Sequence, residues 1–207
     1  MFTKIKIDTP PDKVRFTSDL HIGHARSFII EPRGYTNVTD HDNGLVHNWN
    51  AVCDDQTVVF NLGDVTFNDP TGERFLNLHR RLRFRRVYLL IGNHVSGMRQ
   101  VYLKELDRQH EEAVDRATGV PWYEVYPLTL DLDGNHDKQI TFLPEYVEVS
   151  PPKPYPPLVL CHYPILSFNG QGQGAMGLFG HSHNGCEWTH KDRGRGRRLD
   201  VGVDAFP

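Results

Sequence analysis

The chain has 207 residues, 38% of them hydrophobic and 24% charged, with a formal net charge of −3. That size suits one domain, residues 1–207, with a core of its own, and the charge excludes a strong global field for recruiting nucleic acid or an acidic membrane. Three widely spaced cysteines, Cys53, Cys161 and Cys186, argue against a disulfide framework. The opening MFTKIKIDTPPDKVRF lacks the apolar region of a signal peptide, and no apolar stretch approaches the roughly 18 residues of a membrane helix. A cytoplasmic protein without a membrane partner is expected.

Residues 14–18 are β-prone and run into Asp19-Leu20-His21-Ile22-Gly23-His24, a strand opening into a loop. Apolar Leu45, Val46, Trp49, Val52 and Cys53 predict an amphipathic helix over 40–53. A buried strand over 57–62 leads directly into Gly63-Asp64, a helix over 70–83 follows, and the run VYLLI within 86–91 reads as a strand ending in Gly92-Asn93-His94. A polar helix is expected over 98–117. Strands over 121–132 and 138–149 flank the turn 133–137, a hairpin elaborating the single domain. The proline-rich segment 151–157 reads as a stiff extended connector. A short strand at 158–160 precedes Cys161-His162-Tyr163-Pro164. A glycine-rich loop over 169–177 and a brief strand at 178–179 precede Gly180-His181-Ser182-His183. Basic KDRGRGRR at 191–198 reads as a solvated loop, and 199–204 as a last strand.

Five apolar strands therefore each end in a polar block: Asp19/His21, Asp64, Asn93/His94, His162 and His181/His183. Layered α/β folds gather ligands at strand ends, where a rigid sheet holds the loops. The chain has 12 histidines, and histidine and aspartate are good ligands for divalent Mn, Fe, Ni and Zn. Side chains two residues apart on an extended segment point the same way, so Asp19 and His21 can grip one ion. Seven ligands, Asp19, His21, Asp64, Asn93, His162, His181 and His183, are too many for one tetrahedral ion and fit two that share Asp64. Such a pair suits hydrolysis of a phosphoester bond. His94, beside the ligand Asn93, is the candidate general acid for the leaving group.

Each block alone is weak, because Gly-Asp and Gly-Asn-His are also common turn sequences; their order, each after an apolar run, carries the reading. His24 serves equally as a substrate contact or a turn cap. Arg26 and Arg33 are candidate phosphate contacts, although surface arginines are usually solvated. The run 79–86, HRRLRFRR, is either a nucleic-acid patch or, preferably, the wet face of a helix. His41, His47, His110 and His190 read as surface residues.

The ensemble Asp19-Leu20-His21, Gly63-Asp64, Gly92-Asn93-His94, His162 and Gly180-His181-Ser182-His183 resembles the calcineurin-like metallophosphoesterase superfamily, closest in look to small bacterial and phage phosphoesterases. SDLHIGHARSFI, the NWN of Asn48-Trp49-Asn50, LGD and CHYP carry the same flavour. The resemblance implies a four-layer α/β/β/α sandwich of two mixed β-sheets flanked by helices. It implies a first metal held by Asp19, His21, Asp64 and His183, and a second held by Asp64, Asn93, His162 and His181. It also implies catalysis by Asp64 and His94 on a phosphoester small molecule or nucleotide-like substrate, with Mn the leading metal. Val95 departs from the family, which has Asp or Glu there; such a residue orients ligands rather than supplying them. A complete Gly134-Asn135-His136-Asp137 appears later. The earlier block is preferred because it follows a buried strand one helix after Gly63-Asp64, whereas Asp133-Gly134 is a hairpin-turn signal. A nuclease using the same site, and a metal-binding scaffold without catalysis, are the competing readings.

Overall fold

Alternation along the strands builds two apolar layers from one sequence. In β3 (Val58–Asn61), Val58 and Phe60 face one core while Val59 faces another. In β4 (Arg86–Leu89), Val87 and Leu89 take the second side and Tyr88 the first, as a period of two requires. The computed structural model describes residues 3–109, 127–186 and 197–206. The remaining elements are β1 (Thr3–Lys6), β2 (Val14–Thr17), α1 (Ser27–Ile30), α2 (Val38–Val52), α3 (Glu73–Arg81), α4 (Ser96–Gln109), β5 (Leu128–Asp131), β6 (Gln139–Phe142), β7 (Tyr146–Ser150), β8 (Leu158–Cys161), β9 (Met176–Phe179) and β10 (Arg197–Asp200).

The strands form two mixed five-stranded sheets, ordered β2-β3-β4-β6-β5 and β1-β7-β8-β9-β10, an α/β sandwich. In the first sheet β2, β3, β4 and β6 run parallel and β5 pairs antiparallel with β6. In the second, β7 and β8 are antiparallel and every other pair is parallel. Helices α2, α3 and α4 bring Trp49, Phe75 and Tyr102 onto Val59, Val87, Ile140 and Phe142. Between the sheets, Phe60, Leu62 and Leu90 meet Val147, Leu160 and Leu178. There Phe16, Phe60 and Tyr88 stack across three neighbouring strands at 5.3 and 4.8 Å between ring centroids. The outer face of the second sheet is covered, among the described residues, by Ile165, Phe168 and Ala175 on Val159 and Tyr146.

Helix starts follow local chemistry. Asn37 accepts a hydrogen bond from the Asp40 amide at 2.9 Å and caps α2. The buried Asp69 carboxylate takes the Gly72 and Phe75 amides at 3.1 and 2.8 Å at the start of α3. Trp49 and Asn50 of the NWN sequence staple α2 to the segment before β4: Trp49 Nε1 donates to Arg83 O at 2.9 Å, and Asn50 Oδ1 accepts from Arg83 N at 2.8 Å.

Several expectations are corrected. β1 has no counterpart in the sequence reading. The segment 138–149 is two strands in different sheets, β6 and β7, because Leu143 turns into the layer between the sheets and the chain crosses over; the hairpin is therefore only β5–β6, an edge of the first sheet. The proline-rich segment bends, closed by the Tyr155 amide on Pro152 O at 3.2 Å, rather than running extended. The last strand begins at Arg197 and gives way after Asp200 to a turn. Met176 and Gly177, assigned to the glycine-rich loop, already belong to β9. The expected helical residues 110–117, strand residues 121–126 and loop residues 191–196 lie outside the described residues. No described helix is long and apolar enough to cross a membrane.

Candidate metal centre

All five polar blocks leave the C-terminal ends of their strands on one side of the sandwich. Cross-links between those ends fix them. The Asp19 amide bonds Gly63 O at 3.1 Å and the His21 amide bonds Asp64 O at 2.9 Å, joining the β2 and β3 exits. Ser18 bridges to Gly202, and the Val203 amide bonds Ser18 O at 3.1 Å, so the β10 exit of one sheet closes onto the β2 exit of the other. Two glycines permit the close approach. A Cβ on Gly92 would strike the Asp64 carboxylate, and one on Gly180 would strike Ser18 and Asp19.

The seven predicted ligands converge. Donor atoms of Asp19, His21 and His183 lie within 4.8 Å of one another, as do those of Asp64, His162 and His181, and those of His21, Asp64 and His94. Asn93 Oδ1 sits 2.9 Å from His162 Nε2 and 2.8 Å from His181 Nδ1. Asp64 stands at the junction, its Oδ2 3.7 Å from His21 Nε2 and 3.5 Å from His162 Nε2. These groups can hold a metal ion. Five of the seven, Asp19, His21, Asp64, His181 and His183, have φ between 47° and 64°, a left-handed conformation that costs non-glycine residues about 1–3 kcal/mol each and clusters at functional sites.

Asp64 and Asp19 each spend one oxygen on the backbone of another block and turn the other inward. Asp64 Oδ1 accepts from the His94 amide at 2.8 Å, and Asp19 Oδ2 from the His181 amide at 2.8 Å. Asp19 Oδ1 and both ring nitrogens of His21 have no hydrogen-bond partner, although Asp19 is 0% and His21 2% exposed. Buried polar atoms of this kind are normally paired. The imidazoles are oriented from behind. His162 Nδ1 donates to Leu62 O at 3.0 Å, leaving Nε2 toward Asp64. His183 Nδ1 faces Asp204 Oδ2 at 2.7 Å, leaving its Nε2.

Electrostatics follow from this packing. Burial works against the Asp64 charge, yet the hydrogen bond and charge of His162 with the His94 amide hold its pKa down at about 2. His162 is lifted above its ordinary value despite burial, because Asp64 faces it. His183 is lifted by its hydrogen bond to Asp204. Burial lowers His21, and burial with the His162 charge lowers His181. His24, whose ring packs 3.9 Å from Phe67, is pushed down to about 4 by burial and the neighbouring His21 and His94. His94 is half-buried, its ring edge-on to His21 at 5.1 Å and to Phe67 at 5.1 Å.

The substrate candidates divide. Arg26 is exposed, and its amide donates to His24 Nδ1 at 3.4 Å. His24 is buried beside His21 and His94. Arg33 is placed behind the ligands instead of facing solvent: its guanidinium forks onto Asp204 at 2.8 and 2.7 Å and reaches Asp19 O, Leu20 O and His41 Nε2 at 2.9, 3.1 and 2.9 Å. His41, expected at the surface, is fully buried in this network. Its Nε2 accepts from Arg33, so Nδ1 donates to Asp42 Oδ1 at 2.8 Å, and Asp42 in turn accepts from the Gly23 amide at 3.0 Å. Asp204 and Asp42 were missed by sequence reasoning. Asp204 follows the last strand as the other blocks follow theirs, and that position was the available signal.

His79 is buried too, bonded to Phe75 O at 2.8 Å, so only part of the run 79–86 is a wet face. That run enters β4 at the end away from Asn93. The turn carrying Asn135 and His136 lies at the same far end, since Gln139 pairs with Arg86. Asp133 and Gly134 there have φ of 54° and 75°, the turn geometry expected of Asp-Gly. Val95 packs against the helix-side core. His110 and His190 lie outside the described residues.

No family model matches the chain. An uncharacterized protein of Methanocaldococcus jannaschii is 30% identical over 82 residues, 40% of this chain and 46% of that relative; the match thus spans about half the relative's length. A solved structure of a protein of unknown function from Aquifex aeolicus superposes with a TM-score of 0.53 at 16% identity, covering 92% of this chain and 90% of that one, which is a likeness of fold.

Proposed function

We propose that this protein is a metal-dependent phosphoester hydrolase, a phosphodiesterase or phosphatase of the calcineurin-like metallophosphoesterase kind. One observation carries the reading. Asp19 Oδ1 and both nitrogens of His21 are buried without a hydrogen bond, His21 Nε2 standing only 3.7 Å from Asp19 Oδ1 and Asp64 Oδ2, amid seven convergent ligand side chains. Uncompensated burial of such atoms costs several kcal/mol, and a bound cation removes that cost. Asp19, His21, Asp64 and His183 would hold one divalent ion, and Asp64, Asn93, His162 and His181 a second. Donors of this type suit Mn, Fe, Ni or Zn, and Mn is the first choice. When bound, the pair polarises a phosphoryl group and lowers the pKa of an attacking water.

The chain's own groups supply the rest. The His94 amide is anchored on Asp64, so its imidazole is held beside the ligand pair His21 and Asp64, where it protonates the leaving oxygen so that it departs as the alcohol. Asp204 and Leu62 O hold His183 and His162 in the orientations that free Nε2. Val95 lends its loop apolar anchorage in place of an acidic group. The substrate is a small or nucleotide-like phosphoester. The basic run 79–86 lies at the end of β4 away from the site and so does not support a nuclease groove; the run 191–198, the other support for that reading, lies mostly outside the described residues.

The test adds each metal back to purified protein with bis(4-nitrophenyl) phosphate and 4-nitrophenyl phosphate. Turnover with Mn²⁺ is expected, lost in Asp64→Asn and reduced about 10²–10⁴-fold in His94→Ala with metal content retained. Bound metal without turnover of any mono- or diester sinks the hydrolase reading and leaves a metal-binding scaffold.

A further inference from the structure

Beside His94 stands an aromatic wall that metal binding does not explain. Phe67 lies 5.1 Å from the His94 ring and 3.9 Å from His24, and His24 meets Phe28 edge-on at 5.5 Å. Phe28 is 70% exposed, while Ile29 and Ile30 beside it on α1 are buried. The helix thus buries two neighbours and turns its largest apolar side chain outward, next to the metal centre. Tyr163, the other exposed aromatic at the site, packs instead on His162 and His181, at 5.1 and 4.6 Å. A lone exposed Phe28 would be ordinary; its contact with His24, which packs on Phe67 beside His94, is what makes the cluster a candidate ligand surface.

We infer that Phe28 and Phe67 select phosphate esters whose leaving alcohol carries a planar aromatic group, a nucleobase being the biological instance. The inference rests on the hydrolase reading, which puts the leaving group next to His94. A planar ring on that alcohol would lie alongside Phe67, which neighbours His94, with the exposed Phe28 ring beyond His24. Stacking on such faces is tolerant of ring identity, so the wall selects a class rather than one base. His24 backs the wall, its ring filling the space between the two phenylalanines.

Calorimetry on the Mn²⁺-loaded protein tests this without turnover, using benzylphosphonate, in which a methylene replaces the ester oxygen, against methylphosphonate. Benzylphosphonate is expected to bind about tenfold more tightly. Phe28→Ala and Phe67→Leu should each erode that preference while leaving methylphosphonate affinity unchanged. Phe28 is exposed and Phe67→Leu keeps an apolar filler, so both variants retain the fold. Equal affinity for the two ligands, or a preference that survives both substitutions, overturns the inference and leaves the hydrolase reading standing. If neither phosphonate binds, the inference is overturned, and the turnover assay on mono- and diesters decides the hydrolase reading separately.

Discussion

Arg33 is the most heavily bonded cation near the centre, and its removal tests how the ligands are held. Its side chain is 5% exposed and the Asp204 side chain 13%. In Arg33→Ala the Asp204 carboxylate loses both arms of the fork, and the carbonyls of Asp19 and Leu20 lose a donor. Stranding a buried charge costs about 3–5 kcal/mol, and each carbonyl adds about 1 kcal/mol. His183 stays 2.7 Å from Asp204 and offsets part of this, so a net loss of about 3 kcal/mol is expected. Urea denaturation of the metal-free protein, with a slope of about 1–3 kcal/mol/M, should show a midpoint lowered by about 1–3 M. Because Asp204 orients His183, Mn²⁺ affinity should also fall about 10–100-fold. Arg33→Lys keeps the charge without the fork and should fall between. An unchanged midpoint together with unchanged Mn²⁺ affinity in Arg33→Ala would refute the idea that this network holds the ligands.

Three further outcomes follow from the same geometry. Asn93→Ala should lose bound metal while Asn135→Ala keeps it, measured by metal analysis after desalting; the reverse would return the site to the later Gly-Asn-His-Asp. Gly92→Ala should weaken both the metal-free fold and metal binding, since its Cβ meets the Asp64 backbone N and carboxylate; unchanged stability and unchanged metal affinity would refute the close-approach argument. His162 and His183 have raised pKa values, so their protons stabilise the metal-free fold fully below the ordinary histidine value of about 6.5 and lose that effect as pH rises through the raised values. Ligation needs them neutral, so Mn²⁺ affinity should rise with pH above about 6.5 and metal uptake should release protons in weakly buffered solution. A flat profile would count against both histidines as ligands.

The apolar runs ending in Asp, Asn and His were legible residue by residue, because strand periodicity and the polar residue after it are local properties. All seven candidate ligands and His94 were named this way, as was the turn at Asp133-Gly134. Pairing across the sandwich was not legible. Pro144 in 138–149 marks a local break between Phe142 and Tyr146, but nothing local says that the two halves enter different sheets, since both alternate alike. The same blindness hid Asp204, Asp42 and His41. The Asp204 role comes from its contact with Arg33, 171 positions away, which exists only once the β10 exit has closed onto the β2 exit, and those of His41 and Asp42 come from the burial of Arg33 and the Gly23 turn against α2. The sequence alone determined which atoms can meet a metal. Only the tertiary structure decided which groups stand behind those atoms, because orientation is set by neighbours that folding supplies.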